Sequence, residues 1–99
     1  MAATETIEII ALDDDWNLLG RIDGKGDWPG IVRALLRMDS AWLIIEQQRM
    51  DGPVPLPRRE DIRLSRTVAH RLRPMEMKVA DHVILSGKGR FSFRQAGLL

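Results

Sequence analysis

A chain of 99 residues with 44% hydrophobic content can build one thin core, and a domain that small holds little stability in reserve. Lys and Arg total 15 against 14 Asp and Glu, a net charge near +1 that lacks the basic excess of a chain built to hold nucleic acid. There is no cysteine, which excludes disulfides, thiolate metal sites and a cysteine nucleophile and suits a reducing compartment.

The opening Met1–Thr6 turns acidic early and reads as neither a secretory signal nor a membrane span, so a cytoplasmic protein is expected. Ile7-Glu8-Ile9-Ile10-Ala11-Leu12 is short and rich in isoleucine, and it predicts a strand. Asp13-Asp14-Asp15-Trp16-Asn17 then turns the chain, and Leu18–Ile22 returns as a second strand. Three consecutive aspartates suggest calcium, but an EF-hand loop spaces its oxygen ligands alternately and closes with a distant glutamate, so a solvated turn is the reading.

After the loop Asp23–Asp27, Pro29 sits in the first turn of a helix whose apolar positions are Ile31, Val32, Leu35, Leu36 and Met38. That helix should stop near Asp39-Ser40. Ala41-Trp42-Leu43-Ile44-Ile45 is a continuous apolar run, as in a central strand covered on both faces, with Trp42 in the core. Glu46–Pro57 carries Pro53, Pro55 and Pro57 and predicts an extended surface loop.

A second helix starts near Arg59 and ends at Pro74, with Ile62, Ser65, Val68, Ala69 and Leu72 inward and Arg59, Arg63 and Arg66 outward. His82–Leu85 is a strand, Gly87-Lys88-Gly89 a turn and Arg90–Phe93 a closing strand, followed by an apolar tail, Gln95–Leu99, docked on the sheet. The order β-β-α-β-α-β-β predicts an α/β fold: a mixed sheet with helices packed on it. Trp16 in a turn and Trp28 at a helix entry are candidate exposed anchors for a partner. The Gly87-x-Gly89 pair needs no phosphate to explain it, because a hairpin turn suffices.

The stretch Gly52-Pro53-Val54-Pro55-Leu56-Pro57-Arg58-Arg59-Glu60-Asp61-Ile62, with Asp81-His82-Val83-Ile84, Gly87-x-Gly89-Arg90 and Phe91-Ser92-Phe93-Arg94-x-x-Gly97-Leu98-Leu99, resembles the C-terminal JAB/MPN domain of the RadC family, long labelled as DNA repair proteins. The opening strands and the Ile31-Val32-Arg33 helix also look like that family, so the resemblance covers nearly all of residues 1–99 as a single domain. It implies the JAB/MPN, cytidine-deaminase-like architecture.

In the JAB/MPN metalloproteases two histidines and an aspartate hold zinc, a first-strand glutamate is the base on the bound water, and a serine stabilises the oxyanion. Three ligands and an open vertex are what that chemistry needs. With the Pro-x-Pro and the final aspartate fixing the register, the resemblance puts the histidines on Gln48 and Met50, the serine on Arg58, the aspartate on Asp61 and the glutamate on Glu5. Shifting the loop by one substitutes Gln47 and Arg49 and recovers no histidine. An amide, a thioether and a guanidinium do not replace two imidazoles and a hydroxyl around a dication. Zinc, the family's cofactor, is therefore not expected, no catalytic residue is assigned, and the metal motif is degenerate.

Without a metal, Asp61 has a bland role complementing the amides at a helix N-terminus. Glu5 is then a surface residue near a strand end, and His82 a hydrogen-bonded structural histidine unrelated to His70. The expectation is a catalytically inactive binding or assembly module, working as a homodimer or with a protein partner and without a membrane. The alternatives are a zinc-dependent JAMM-type metallopeptidase or hydrolase with a relocated metal, and a DNA-repair-associated protein that binds DNA through the arginines of the second helix.

Overall fold

The computed structural model describes residues 5–50, 55–87 and 89–99. Its strands are β1 (Glu5–Leu12), β2 (Leu18–Asp23), β3 (Trp42–Arg49), β4 (Lys78–Ser86) and β5 (Gly89–Ser92), and its helices α1 (Trp28–Arg37) and α2 (Arg59–Leu72). One sheet runs in the order β2-β1-β3-β4-β5, with β3 and β4 parallel and the other neighbours antiparallel. The expected element order and mixed sheet are therefore present.

Chain topology decides where the helices lie. Because β1 is antiparallel to both β2 and β3, β2 and β3 run parallel, so α1 and α2 are both crossovers stepping in the same direction across the sheet. Right-handed crossovers of the same sense place both helices on one face. The main core confirms it: Ile31 and Leu35 of α1 and Val68 and Leu72 of α2 bury against Ile9, Ala11, Leu43 and Ile45.

Local chemistry sets the ends of these elements. Asp27 caps α1, its Oδ1 accepting from the Gly30 N–H at 2.9 Å, and Asp39 ends it in a left-handed conformation, φ 57°. Asp13 makes the first turn by itself: its Oδ1 accepts from the N–H groups of Asp15 and Asn17 at 2.9 Å each. The aspartate run is thus a hydrogen-bonded turn. Leu98 closes back on Phe93, N–H to carbonyl at 2.9 Å, but Leu98 and Leu99 are 38% and 48% exposed, so the apolar tail is not buried on the sheet as expected.

Several expectations need correction. Residues 46–49 are not loop; they complete β3, pairing with Glu5–Glu8 of β1. Their polar sequence argues against an inner strand, and pairing on both sides outweighs it. The loop assignments at Asp51–Val54 and Lys88 lie outside the described residues. Strand β4 starts at Lys78, earlier than His82. Trp42 is only half-buried, on the sheet face opposite the helices with Ile10, Leu12, Ile44 and Ala80. Trp16 is 45% exposed and meets Trp42 edge-on at 5.4 Å, with Arg94 over its own ring. Trp28 is partly exposed, as expected, and packs at the margin of the core beneath Arg71.

Candidate functional site

The site lies where the ends of β1 and β3 meet the start of α2. Glu5 and Arg49 are register partners across the β1–β3 ladder, and Arg49 Nε donates to Glu5 Oε2 at 2.8 Å. Arg49 Nη1 donates to the Leu56 carbonyl at 3.2 Å, and Nη2 donates to both oxygens of Asp61 at 2.5 Å. All three guanidinium nitrogens are used, tying a strand, the incoming segment and a helix to one cation. Arg49 and Asp61 are each about 95% buried. Asp61 Oδ2 also accepts from the Arg58 backbone N–H at 2.7 Å, which satisfies one free amide of the helix start.

The network continues across the sheet. Gln47 Nε2 donates to Asp61 Oδ1 at 3.3 Å, and Gln47 Oε1 makes a very short contact with His82 Nε2. His82 is fully buried and stacks on Phe93 with ring centroids 4.1 Å apart.

A break in register puts it there: Leu43 pairs with Val79 but Ile44 pairs with Asp81, so β4 holds one extra residue, Ala80. The extra residue turns His82 to the helix side, alongside Ile45. Asp81, left on the other side, accepts from Ser92 Oγ at 2.6 Å and from the Arg94 N–H at 3.0 Å. These bonds fasten the segment that presents Phe93. The Asp-His and Ser-Phe-Arg motifs are thus one structural unit.

Electrostatics follow from this burial. Burial works against the charge on Arg49, yet its hydrogen bonds to Asp61 and Glu5 hold its pKa above the ordinary value. Burial likewise raises the Asp61 carboxyl, but Arg49, the Arg58 amide and Gln47 together keep it below the usual range. His82 is pushed down to about 4, by burial first and then by Arg49, against the pull of Asp61 and Asp81. It is neutral at pH 7. Because Gln47 turns its N–H toward Asp61 and its carbonyl toward His82, the imidazole must donate from Nε2. Its Nδ1 is then a buried acceptor without a partner among the described residues.

The structure brings Glu5 and Asp61 together through Arg49. Gln48 and Arg58 instead point to solvent, and Met50 is 74% exposed. The side chains beside Asp61 are Gln47 and Arg49, the pair reached by the one-residue shift. His70, on the exposed side of α2, takes no part. The signal that finds Gln47 and Arg49 is the period-two burial of β3: Leu43 and Ile45 face inward, and the same step carries to 47 and 49.

This arrangement does not fit zinc. A catalytic zinc site needs three lone-pair donors and an open vertex. Between Glu5 and Asp61 there is instead a guanidinium, which has donors only, and both Asp61 oxygens already accept from it. Among the described residues no group of three or more His, Asp or Glu is placed to hold a metal ion.

Comparison with known proteins shows the family of this chain. The family model described as "RadC-like JAB domain" matches residues 27–98. A UPF0758 protein of Burkholderia vietnamiensis is 39% identical over 69 residues, covering 70% of this chain and 26% of the relative. One from Burkholderia ambifaria matches to the same extent. A UPF0758 protein of Rhodobacter capsulatus is 30% identical over 105 residues, covering 97% of this chain and 48% of its own length. The chain spans less than half the length of these relatives.

Proposed function

The chain belongs to the RadC-like JAB family, and from that premise we propose that it is a metal-free member acting as a binding or assembly module. One observation carries this reading: the Arg49 guanidinium joins Glu5 and Asp61, the two acidic residues that the resemblance matches to the metal-centre base and ligand. We read Gln47 and Arg49 as standing in the two ligand-histidine positions, in place of Gln48 and Met50. A permanent cation there supplies internally one of the two positive charges that a zinc ion would bring, and it closes the vertex a water would need. The whole of 1–99 is proposed as one such domain.

The partner proposed is a second copy or another protein, because a domain this small gains stability when the folded form is bound. A cytoplasmic location is proposed from the lack of cysteine; no helix among the described residues is long and apolar enough to cross a membrane.

Metal analysis and a zinc titration followed by melting temperature test the reading. The expected result is well under one zinc per chain and no upward shift, where a ligand at a hundredfold over its Kd adds about 2.7 kcal/mol. Stoichiometric zinc, lost on chelation together with a peptidase activity, overturns it.

DNA contact is a second reading, favoured by Arg59, Arg63 and Arg66. They are exposed along one side of α2 and have no carboxylate partner among the described residues. It predicts an affinity that falls steeply with salt, and no binding at low salt ends it.

A further inference from the structure

Strand β2 forms one free edge of the sheet, and the register shows which of its backbone groups point outward. The Gly24 N–H donates to the Ile7 carbonyl at 2.9 Å, so Gly24, Ile22 and Gly20 turn their backbone groups inward to β1. Arg21 and Asp23 therefore turn theirs outward, where no strand pairs with them; the Asp23 carbonyl accepts a long 3.5 Å bond from the Gly26 N–H. The opposite edge, β5, has four residues against the six of β2 and offers less to a pairing strand.

The side chains beside the β2 edge are unbalanced in charge. Glu46, Glu8 and Asp23 are ladder partners across β3, β1 and β2, three carboxylates abreast on the face away from the helices. Like charges directly opposite one another are destabilising. Among the described residues one cation serves the row: Arg21 reaches Glu8 at 2.7 Å and Glu46 at 3.7 Å. Asp23, at the open end, has no ion pair among the described residues.

We propose that a second copy of this chain pairs antiparallel along β2, about a twofold axis normal to the sheet and centred on Ile22. That register sets Arg21 of each copy opposite Asp23 of the other. Each such pair exchanges both its N–H···O bonds, using the outward groups, and each carboxylate row then ends on a guanidinium. Other twofold registers fail. Centring on Arg21 or Asp23 brings like charges together, and centring on Gly20 takes in Leu19, the extra residue that β2 carries opposite Ala11 and Leu12. A basic peptide would also satisfy the carboxylates, but β2 already carries its own cation at the matching offset, which selects a second copy. The inference rests on the assembly part of the proposed function and names its partner and surface.

Sedimentation equilibrium, with metal content measured on the same sample, provides the test. A monomer–dimer equilibrium is expected with a Kd below about 1 mM, the value for an interface worth only about 4 kcal/mol. Arg21→Asp and Asp23→Arg should each raise that Kd at least about tenfold, since each sets like charges opposite across the axis. Both residues are exposed, so both variants should stay folded. Mixed in equal amounts, the two variants should form a heterodimer, because both pairs are then opposite in sign. The double variant, Arg21→Asp with Asp23→Arg, should dimerise by itself, a rescue that a merely damaged fold does not give. Monomer at every concentration, a dimer unmoved by the single reversals, or no rescue in the mixture and the double variant overturns the proposal. A metal-free monomer would leave the metal-free reading standing, whereas a zinc-loaded dimer that follows the charge swaps would reject that reading and keep this interface.

Discussion

His82 Nε2 and Gln47 Oε1 meet across the parallel β3–β4 pair inside the core, and the rest of Gln47 is already committed to Asp61. The imidazole is therefore held in one tautomer. A proton added at Nδ1 places a charge inside the core at an atom with no hydrogen-bond partner among the described residues, beside the stacked ring of Phe93.

Stability should fall as the solution is acidified. The folded value of His82, about 4, lies below the ordinary 6.5, so between those values the unfolded chain binds more protons. Its contribution is complete above about pH 6.5 and is lost as pH falls toward 4, a loss of roughly 3 kcal/mol. Urea unfolding at intervals from pH 7 to 4.5 measures it, and His82→Gln, which keeps a donor toward Gln47, should flatten that part of the curve. A native curve already flat there removes the buried neutral imidazole from the account.

The Arg49–Asp61 pair is expected to be costly to break and cheap to remove as a whole. Arg49→Met leaves Asp61 buried with an uncompensated charge, which should cost about 3–5 kcal/mol. Against a total of about 5–15 kcal/mol that brings the domain close to unfolding. Adding Asp61→Asn to Arg49→Met removes the orphaned charge but keeps an oxygen for the Arg58 amide, and should recover more than half of the loss. Denaturant midpoints of the two variants decide it: a single variant costing under about 1 kcal/mol shows that water reaches the pair.

The frame of this fold is legible in the sequence because it rests on apolar periodicity. Ile9 and Ala11, Leu43 and Ile45, and Val68 and Leu72 are apolar at strand or helix spacing, and all are buried. The site is less legible, since its residues are polar. Glu46-Gln47-Gln48-Arg49 reads as surface loop until the hydrogen bonds of Gln47 and Arg49 are known, and those depend on residues 5, 61 and 82. The extra residue at Ala80 changes which side of the sheet His82 faces, and no local pattern in Lys78–Ser86 announces it. Matching the loop through its prolines preserves sequence spacing but takes no account of strand alternation, which decides whether 47 and 49 or 48 and 50 face Asp61.

That alternation predicts which histidine substitutions create a metal site. Gln47→His with Arg49→His puts two imidazoles on the buried side of β3 beside Asp61 and removes the guanidinium between the carboxylates. Gln48→His with Met50→His restores the spacing given by the proline register, but on side chains that point to solvent. The first double variant should take up about one zinc per chain and gain melting temperature when zinc is added, with at least about 2.7 kcal/mol at a hundredfold excess over Kd. The second should behave as the native chain does. Zinc uptake by the 48/50 variant in preference to the 47/49 variant reverses the assignment, because it requires the end of β3 to turn those residues inward around Asp61.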